Sequence, residues 1–501
     1  MSIYGEFFTK FMEPLFEGLV KIFKGLGEGL FQMFNIVSYI TVVSDYKSNL
    51  TGLGLVILIF SCIFLLCVFG LIIFLLYKSI KTYMRYRRNV KKEDMLVEEI
   101  DSLNNEIFKL KRQQEKISEL TDQNGNLEYN ADGTLKNELK EGESRFFKLT
   151  EVDKKYANNP APEITNSFTL EELCEKFRNY SASKLHLYYD INLIRLFIAS
   201  FASNKLIILE GISGTGKTSL AYAFGSFVGN ETTVASVQPS WRDSTEIFGY
   251  FNEFTKKFNE TEILSKMYEA LYTDNVYLTL LDEMNISRVE YYFAEMLSIL
   301  ELPNRKDWVV ELVPNVWAND PKKLDEGKIK IPDNMWYIGT INNDDSTFMI
   351  TDKVYDRAMP IAIDDKCEEF DAPDTEKEAL SFKYFENRLR EASTNNPVSE
   401  ETLEKVSELD RYVIDHFRLA FGNRIVKQLK EFVPAYVACG GEEVAGIDYL
   451  IAHKILRKFE QLNLAYIKDE IDGLIKYLEK LFGENKTPEC KAYLLRLKRT
   501  I

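Results

Sequence analysis

The chain has 501 residues, of which 46% are hydrophobic and 28% charged, and its formal net charge is −15. This length and composition predict two or three folded domains and exclude a disordered chain, and the acidic balance argues against a surface that coats nucleic acid nonspecifically. The six cysteines form no C-x-x-C pair and the three histidines form no cluster. The sequence therefore indicates neither a zinc site nor a disulfide framework.

Residues 1–49 have the pattern of a long amphipathic helix. Charged and polar residues recur every three or four positions between 6 and 32, and Phe, Leu, Ile and Met fill the positions between them. A helix with so wide an apolar face is predicted to lie in the membrane interface or to pack against copies of itself. The alternative is a soluble helix packed on a small N-terminal domain.

Residues 50–78 are predicted to form a transmembrane helix. The stretch 53–77 carries no charge, and at about 1.5 Å per residue it is long enough to cross roughly 30 Å of hydrocarbon. It begins too late in the chain for a cleaved signal peptide. Seven Lys and Arg residues follow within 78–92. Lys and Arg next to a transmembrane helix are enriched on the cytoplasmic side. We therefore expect a single-pass protein of the cell inner membrane, with the residues after the helix in the cytoplasm.

Residues 79–122 are predicted to form a basic juxtamembrane segment and a coiled-coil stalk. Apolar residues at heptad spacing make its seam: Leu96, Leu103, Leu110 and Ile117, with Ile100 and Ile107 between them. Such a seam joins helices of separate chains. Residues 123–165 contain the turn-forming strings NGN, ADG and NNPAP and are predicted to be a polar linker.

A phosphate-binding loop is the strongest motif in the chain. Residues 211–219 read GISGTGKTS, after the apolar run LIIL and before the helix-like SLAYAFGSF. The glycines let backbone N–H groups surround phosphate oxygens, while Lys217 reaches the β- and γ-phosphates and Thr218 binds Mg²⁺. The predicted cofactors are ATP and Mg²⁺. The residues predicted to bind the nucleotide here are Gly211, Ser213, Gly214, Thr215, Gly216, Lys217, Thr218 and Ser219.

Polar residues follow two further predicted strands. The strand 276–281 ends in Asp282 and Glu283, where Asp282 would hold the Mg²⁺ shell and Glu283 would polarise the attacking water. The strand 336–341 ends in Asn342, which can reach the γ-phosphate and the water. Arg357 precedes a fifth strand-like segment. It is predicted to act on the γ-phosphate of a neighbouring subunit, with a surface salt bridge as the alternative.

The motif order GISGTGKTS, LDEMN, IGTINNDDS and DKVYDRAM resembles AAA+ ATPases of the McrB and dynein-related branch. The resemblance covers about 185–365. It implies an α/β P-loop core at 166–365 with a five-stranded parallel sheet, an all-helical lid at 366–501, and a ring that is usually hexameric. Carried over by position, it implies a P-loop at Lys217 and Thr218, Walker B residues Asp282 and Glu283, sensor 1 at Asn342, an arginine finger at Arg357 and a nucleotide-binding sensor 2 at Arg424.

Two inserts extend this pattern. WVVELV and GKIKI, within 303–334, are predicted to form a hairpin. The aromatics Trp241, Phe248, Tyr250 and Phe251 either grip a polymer in the pore of a ring or serve subunit packing. The sequence has no recognisable N-terminal DNA-reading domain and no recognisable nuclease motif of the McrB restriction enzymes, so DNA recognition and cleavage are not carried over from the resemblance.

The sequence therefore predicts a membrane-anchored ATPase whose ring remodels or translocates a macromolecule, a protein or a nucleic acid, in bacterial antiviral or genome defence. Its expected partners are copies of itself, the membrane, and an unidentified substrate or effector subunit. The alternative is a nucleotide-gated pore, in which the ring is a switch. The long apolar face of the N-terminal helix motivates that alternative, because a simple anchor needs only residues 53–77.

Overall fold

The computed structural model describes residues 142–342, 347–462 and 464–499, the segment 35–45, and scattered positions among residues 13–139. The chain divides into two compact units, Met1–Leu110 and Lys111–Ile501. The predicted amphipathic helix before residue 35 lies outside the described residues, apart from residue 13. The predicted stalk at 79–122 lies entirely outside them.

The first unit contains helix α1, Ile36–Asp45. The described positions between 52 and 78 are helical, and large apolar side chains on them are exposed, including Phe60 at 70% and Phe74 at 60%. Among the residues that the structure describes, none of the helices combines the length and the apolar character that a membrane crossing requires. Ten of the 25 positions of the predicted span 53–77 lie outside the described residues.

The second unit is built on a five-stranded parallel sheet, as the sequence predicts. Its strand order is β2-β5-β8-β1-β9, and β3-β4 and β6-β7 are antiparallel hairpins. The hairpin predicted within 303–334 is thus confirmed. The strands are β1 Leu206–Gly211, β2 Thr233–Ser236, β3 Gly249–Asn252, β4 Lys257–Glu260, β5 Tyr277–Asp282, β6 Val309–Glu311, β7 Lys328–Lys330, β8 Met335–Asn342 and β9 Ala358–Ala362.

Helices cover both faces of this sheet, which is why its inner strands are nearly continuous apolar runs. In the C-terminal region from residue 382 to residue 499, the described residues are helical apart from the connecting turns. The helices of the second unit are α2 Phe147–Asn158, α3 Leu170–Leu185, α4 Ile191–Ser203, α5 Lys217–Phe227, α6 Thr245–Phe248, α7 Glu262–Ala270, α8 Val289–Tyr292, α9 Ala294–Ile299, α10 Asp352–Tyr355, α11 Phe382–Asn395, α12 Glu400–Phe417, α13 Gly422–Ala438, α14 Glu443–Leu450, α15 Leu464–Phe482 and α16 Pro488–Arg499. Short 3-10 helices span Met284–Ile286, Arg305–Asp307 and Leu456–Gln461, and a π-helical turn spans Ile451–Ile455.

Alternate residues of each inner strand enter two separate cores. In β1, Ile207 and Leu209 pack in the first core, which includes the C-terminal helices. Leu206 and Ile208 pack in the second core, on the opposite face of the sheet. This alternation follows from the two-residue period of a strand. It attaches the C-terminal helical region to one face of the sheet.

The polar linker predicted at 123–165 is wrong for residues 147–158, which form α2. Phe146 and Leu149 are fully buried, and Asp153 accepts a hydrogen bond from the Tyr268 hydroxyl at 2.7 Å. Because most residues of α2 are polar or charged, the sequence does not reveal the short apolar stripe through which α2 packs on the second core. The insert aromatics Trp241 and Phe248 are also buried in that core, at 8% and 3% exposure, so these two rings pack internally.

Candidate nucleotide-binding site

The phosphate-binding loop joins the carboxyl end of β1 to the amino end of α5. Gly211 has φ +144, and a Cβ there would stand 2.3 Å from the backbone oxygen of Ile363. Gly216 has φ +92 and precedes the first residue of α5. Both positions therefore need glycine. The loop presents residues 212–214 to solvent, with the positive end of the α5 dipole behind them.

Lys217 lies beneath this loop. It is 5% exposed, and its Nζ donates hydrogen bonds to the carbonyls of Gly211 at 2.9 Å and Ile212 at 2.7 Å. The Thr215 hydroxyl donates to the Ile212 carbonyl at 3.0 Å. Ser219 is half-buried in the first turn of α5. The Lys217 ammonium is thus held inside the loop by the loop carbonyls, and this is the position from which a lysine contacts a polyphosphate.

Thr218 and Asp282 are brought into contact from α5 and β5. The Thr218 hydroxyl donates to Asp282 Oδ1 at 2.7 Å, and the Thr340 hydroxyl of β8 donates to the same oxygen at 2.8 Å. A hydroxyl beside a carboxylate is an oxygen ligand pair that suits Mg²⁺. The described residues contain no cluster of three or more His, Cys, Asp or Glu side chains that could hold a metal alone. These two residues fit a Mg²⁺ ion that takes its other ligands from phosphate and water.

Glu283 and Asn342 meet beside this pair. Glu283 has φ +52, a left-handed conformation that is uncommon for a residue with a side chain. Its N–H donates to the Thr340 hydroxyl at 2.8 Å, and its Oε1 accepts from Asn342 Nδ2 at 3.3 Å. The register that pairs Gly211 with Asn342 places these groups at one edge of the sheet. The structure thus brings Thr218, Asp282, Glu283 and Asn342 together, and Thr218 directly follows Lys217 in the chain.

The C-terminal helices add residues that sequence reasoning missed. A cavity of about 460 Å³ beside Gly211 and Asn342 is lined by His453, Arg457 and Arg496. A second cavity of about 960 Å³ adjoins the loop at 214–216, and Tyr189 lines it. This volume is large enough for a nucleoside. His453, Arg457 and Arg496 lie far along the chain from the loop, and neither they nor Tyr189 belong to a recognisable motif, so no local signal could have identified them. Thr340 was missed because it precedes the strand end.

Glu210 and His453 form a buried ionic contact at the end of β1. His453 Nδ1 lies 3.8 Å from Glu210 Oε1, and its Nε2 lies 3.6 Å from a Glu489 oxygen. Burial opposes the charged imidazole, but these two carboxylates outweigh it and raise the pKa of His453 above 6.5. Burial would likewise raise the pKa of Glu210, but His453 and Arg457 outweigh it and lower that pKa. The contact therefore joins the C-terminal helices to the strand that carries the loop.

Replacing His453 with Gln should reduce the pH dependence of stability. A raised folded pKa gives a contribution that is complete below pH 6.5 and is lost as the pH rises through the folded value. The melting temperature of wild type should exceed that of His453→Gln by more at about pH 6 than at about pH 9. Thermal unfolding across this range measures the difference. His186→Gln, which removes an exposed imidazole, is the control. A constant difference would contradict the ionic contact.

Arg357 and Arg424 lie near the amino ends of the strands, whereas the phosphate-binding loop lies at the carboxyl ends. Leu206 pairs with Ala358 at the start of β1 and β9, so Arg357 is about 16 Å along the strands from the loop. Arg357 and Arg424 both form ion pairs with Glu301. They line one cavity of about 830 Å³ with Lys205. Arg424, which the resemblance predicts to bind the nucleotide, thus lies at the start of α13 near the amino ends of the strands, away from the loop of its own subunit.

Comparison with known protein families finds no matching family, and comparison with curated proteins finds no match either. The fold and the site define the class as a mixed α/β protein with a five-stranded parallel sheet, flanking helices and a C-terminal helical region. This arrangement is compatible with a P-loop nucleotide-binding core.

Proposed function

We propose that this protein is an AAA+ ATPase that binds Mg²⁺-ATP at the loop 211–219 and hydrolyses it. The observation that carries the proposal is the contact of Thr218 with Asp282 directly beside the Glu283–Asn342 pair. A hydroxyl and a carboxylate that can bind Mg²⁺, a phosphate-binding loop, and a second carboxylate that can accept the proton of water are the three parts that phosphoanhydride hydrolysis needs.

Each residue has a distinct part in the proposed reaction. The loop N–H groups and Lys217 bind the phosphates, and Thr218 and Asp282 hold Mg²⁺, which neutralises charge on the β- and γ-phosphates when bound. Glu283 accepts a hydrogen bond from the attacking water and takes its proton. Asn342, which donates to Glu283 Oε1, orients that carboxylate.

The position of Arg357 supports a ring. Since Arg357 is on the sheet edge away from its own loop, it can complete only a neighbour's site. A closed ring gives every subunit one neighbour on each side. We therefore include self-assembly, with six subunits as the expectation from the resemblance, in the proposed function.

Membrane anchoring is the second part of the proposal. The charge-free stretch 53–77 supports it, as do the exposed apolar side chains on its described helical positions, including Ile59 and Phe64. We place the ring on the cytoplasmic side of the inner membrane, where it remodels or translocates a macromolecule. The defence role rests on the resemblance alone.

ATP turnover by the full-length protein in detergent tests the enzymatic part. Wild type should release phosphate from ATP only with Mg²⁺, and Asp282→Asn should lower turnover about tenfold to 100-fold because a metal ligand loses its charge. The exposed Asp325→Asn is the matched control and should behave as wild type. Turnover by wild type no higher than by Lys217→Ala, or an Asp282→Asn variant at the wild-type rate, would contradict the assignment.

A further inference from the structure

Lys454 is a buried lysine outside the nucleotide site. It lies in the π-helical turn Ile451–Ile455 and is 4% exposed. Its Nζ donates to the carbonyls of Tyr355 at 2.7 Å, Ala358 at 2.6 Å and Asp356 at 3.4 Å. Burying an ammonium is unfavourable unless its three donors find acceptors. Here all three donors are directed at one short segment of backbone.

That segment is the one that carries Arg357. Carbonyls on both sides of Arg357 accept from Lys454, and Asn204 Nδ2 donates to the carbonyl of Arg357 itself at 2.9 Å. Gln428 Nε2 donates to the Asp356 carbonyl at 3.0 Å. Through Lys454 and Gln428, the C-terminal helices thus hold the backbone of 355–358.

The same helical turn also contacts the nucleotide site. His453, adjacent to Lys454, pairs with Glu210 at the end of β1. The Tyr355 hydroxyl donates to Glu210 Oε2 at 2.9 Å, and the Arg457 guanidinium lies over the Tyr355 ring. A movement of this turn therefore changes contacts at the loop-bearing strand and at the Arg357 segment together.

We propose that Lys454 is a positioning residue for Arg357, and that its helical turn couples a subunit's own nucleotide site to the arginine it presents to its neighbour. This inference rests on the proposed function, in which Arg357 acts across a subunit boundary. An arginine stabilises a transferring phosphoryl group only when its guanidinium is accurately placed. Three hydrogen bonds from Lys454 fix the backbone from which the Arg357 side chain projects. Glu301 and the Lys353 carbonyl contact the guanidinium itself.

Lys454→Met tests this role in the full-length protein. Binding of a fluorescent ATP analogue should be unchanged, because the loop and Lys217 are intact, while turnover should fall about tenfold to 100-fold. The matched control is Lys476→Met, which replaces an exposed lysine of α15 and should turn over ATP as wild type does.

Mixed assemblies separate positioning from a general structural effect. Lys454→Met mixed with Lys217→Ala should regain activity, because some interfaces then combine an intact loop with a well-placed Arg357. Lys454→Met mixed with Arg357→Ala should show no gain over the separate variants, because neither subunit presents a well-placed arginine. Wild-type turnover by Lys454→Met, or recovery in the second mixture, would overturn the inference.

Two further measurements keep the outcome decisive. If Lys454→Met loses ATP binding, the experiment is repeated with Lys454→Gln, because the glutamine amide keeps two hydrogen-bond donors. Turnover by Lys454→Gln that is lowered, and that rises again on mixing with Lys217→Ala, supports the inference. Turnover by Lys454→Gln at the wild-type rate overturns it. The mixture of Arg357→Ala with Lys217→Ala is the reference. If that reference stays inactive, the ring proposal itself fails; if only the Lys454 mixtures deviate, the positioning role alone fails.

Discussion

Replacing Glu283 with Gln is expected to lower ATP turnover at least about 100-fold while ATP binding persists, because the amide cannot take the proton of the attacking water. The side chain keeps nearly its shape, and the backbone N–H contact with Thr340 is untouched. Single-turnover phosphate release and binding of a fluorescent ATP analogue measure the two properties separately. A variant that hydrolyses ATP as fast as wild type would show that Glu283 is not the catalytic carboxylate.

The chain offers a matched control for this substitution. Glu326 is an exposed glutamate that also has a left-handed backbone, with φ +48 against +52 for Glu283. Glu326→Gln makes the same chemical change in the same backbone conformation, in the loop between β6 and β7. It should leave turnover unchanged, so a loss confined to Glu283→Gln reports on the carboxylate rather than on the strained backbone.

Replacing Arg357 with Ala is expected to lower turnover about 100-fold or more and to leave ATP binding nearly unchanged. The guanidinium of an arginine finger acts on charge that develops in the transition state. The variant should still fold, because Glu301 keeps Arg424 as an ionic partner. Arg411→Ala, at an exposed position of α12, is the control.

Mixing two inactive variants tests whether Arg357 acts between subunits. Lys217→Ala lacks the phosphate contact but presents an intact Arg357, whereas Arg357→Ala has the opposite defect. Their mixture should regain part of the activity, because some interfaces then carry one intact copy of each residue. An Arg357→Ala variant at the wild-type rate, or active enzyme that sediments as a monomer with ATP bound, would rule out this role.

The parts of the site that the sequence predicted are those whose geometry is local. Gly211, Gly216 and Lys217 occur within seven consecutive residues, so one strand–loop–helix unit determines their arrangement. Asp282 and Asn342 end apolar strands, and parallel strands align their carboxyl ends at one edge of the sheet. Five strands and their approximate positions followed from the same apolar runs.

The parts that sequence reasoning missed depend on packing between distant segments. The composition of residues 147–158 is that of a polar linker, and only the packing of Phe146 and Leu149 in the second core shows that the segment belongs to the folded domain. Nothing near Arg424 in sequence indicates that α13 starts beside Glu301.

The sequence alone determined the loop, the strand-end carboxylates and the order of the core elements, because short-range periodicity and glycine conformation specify these. Only the tertiary structure decided which C-terminal side chains reach the nucleotide site and which hold the segment of Arg357. His453 and Lys454 are adjacent in the chain, yet one contacts Glu210 and the other the carbonyls around Arg357. That division is set by how the π-helical turn packs on the sheet, which depends on contacts between residues about 100 to 240 positions apart in the chain.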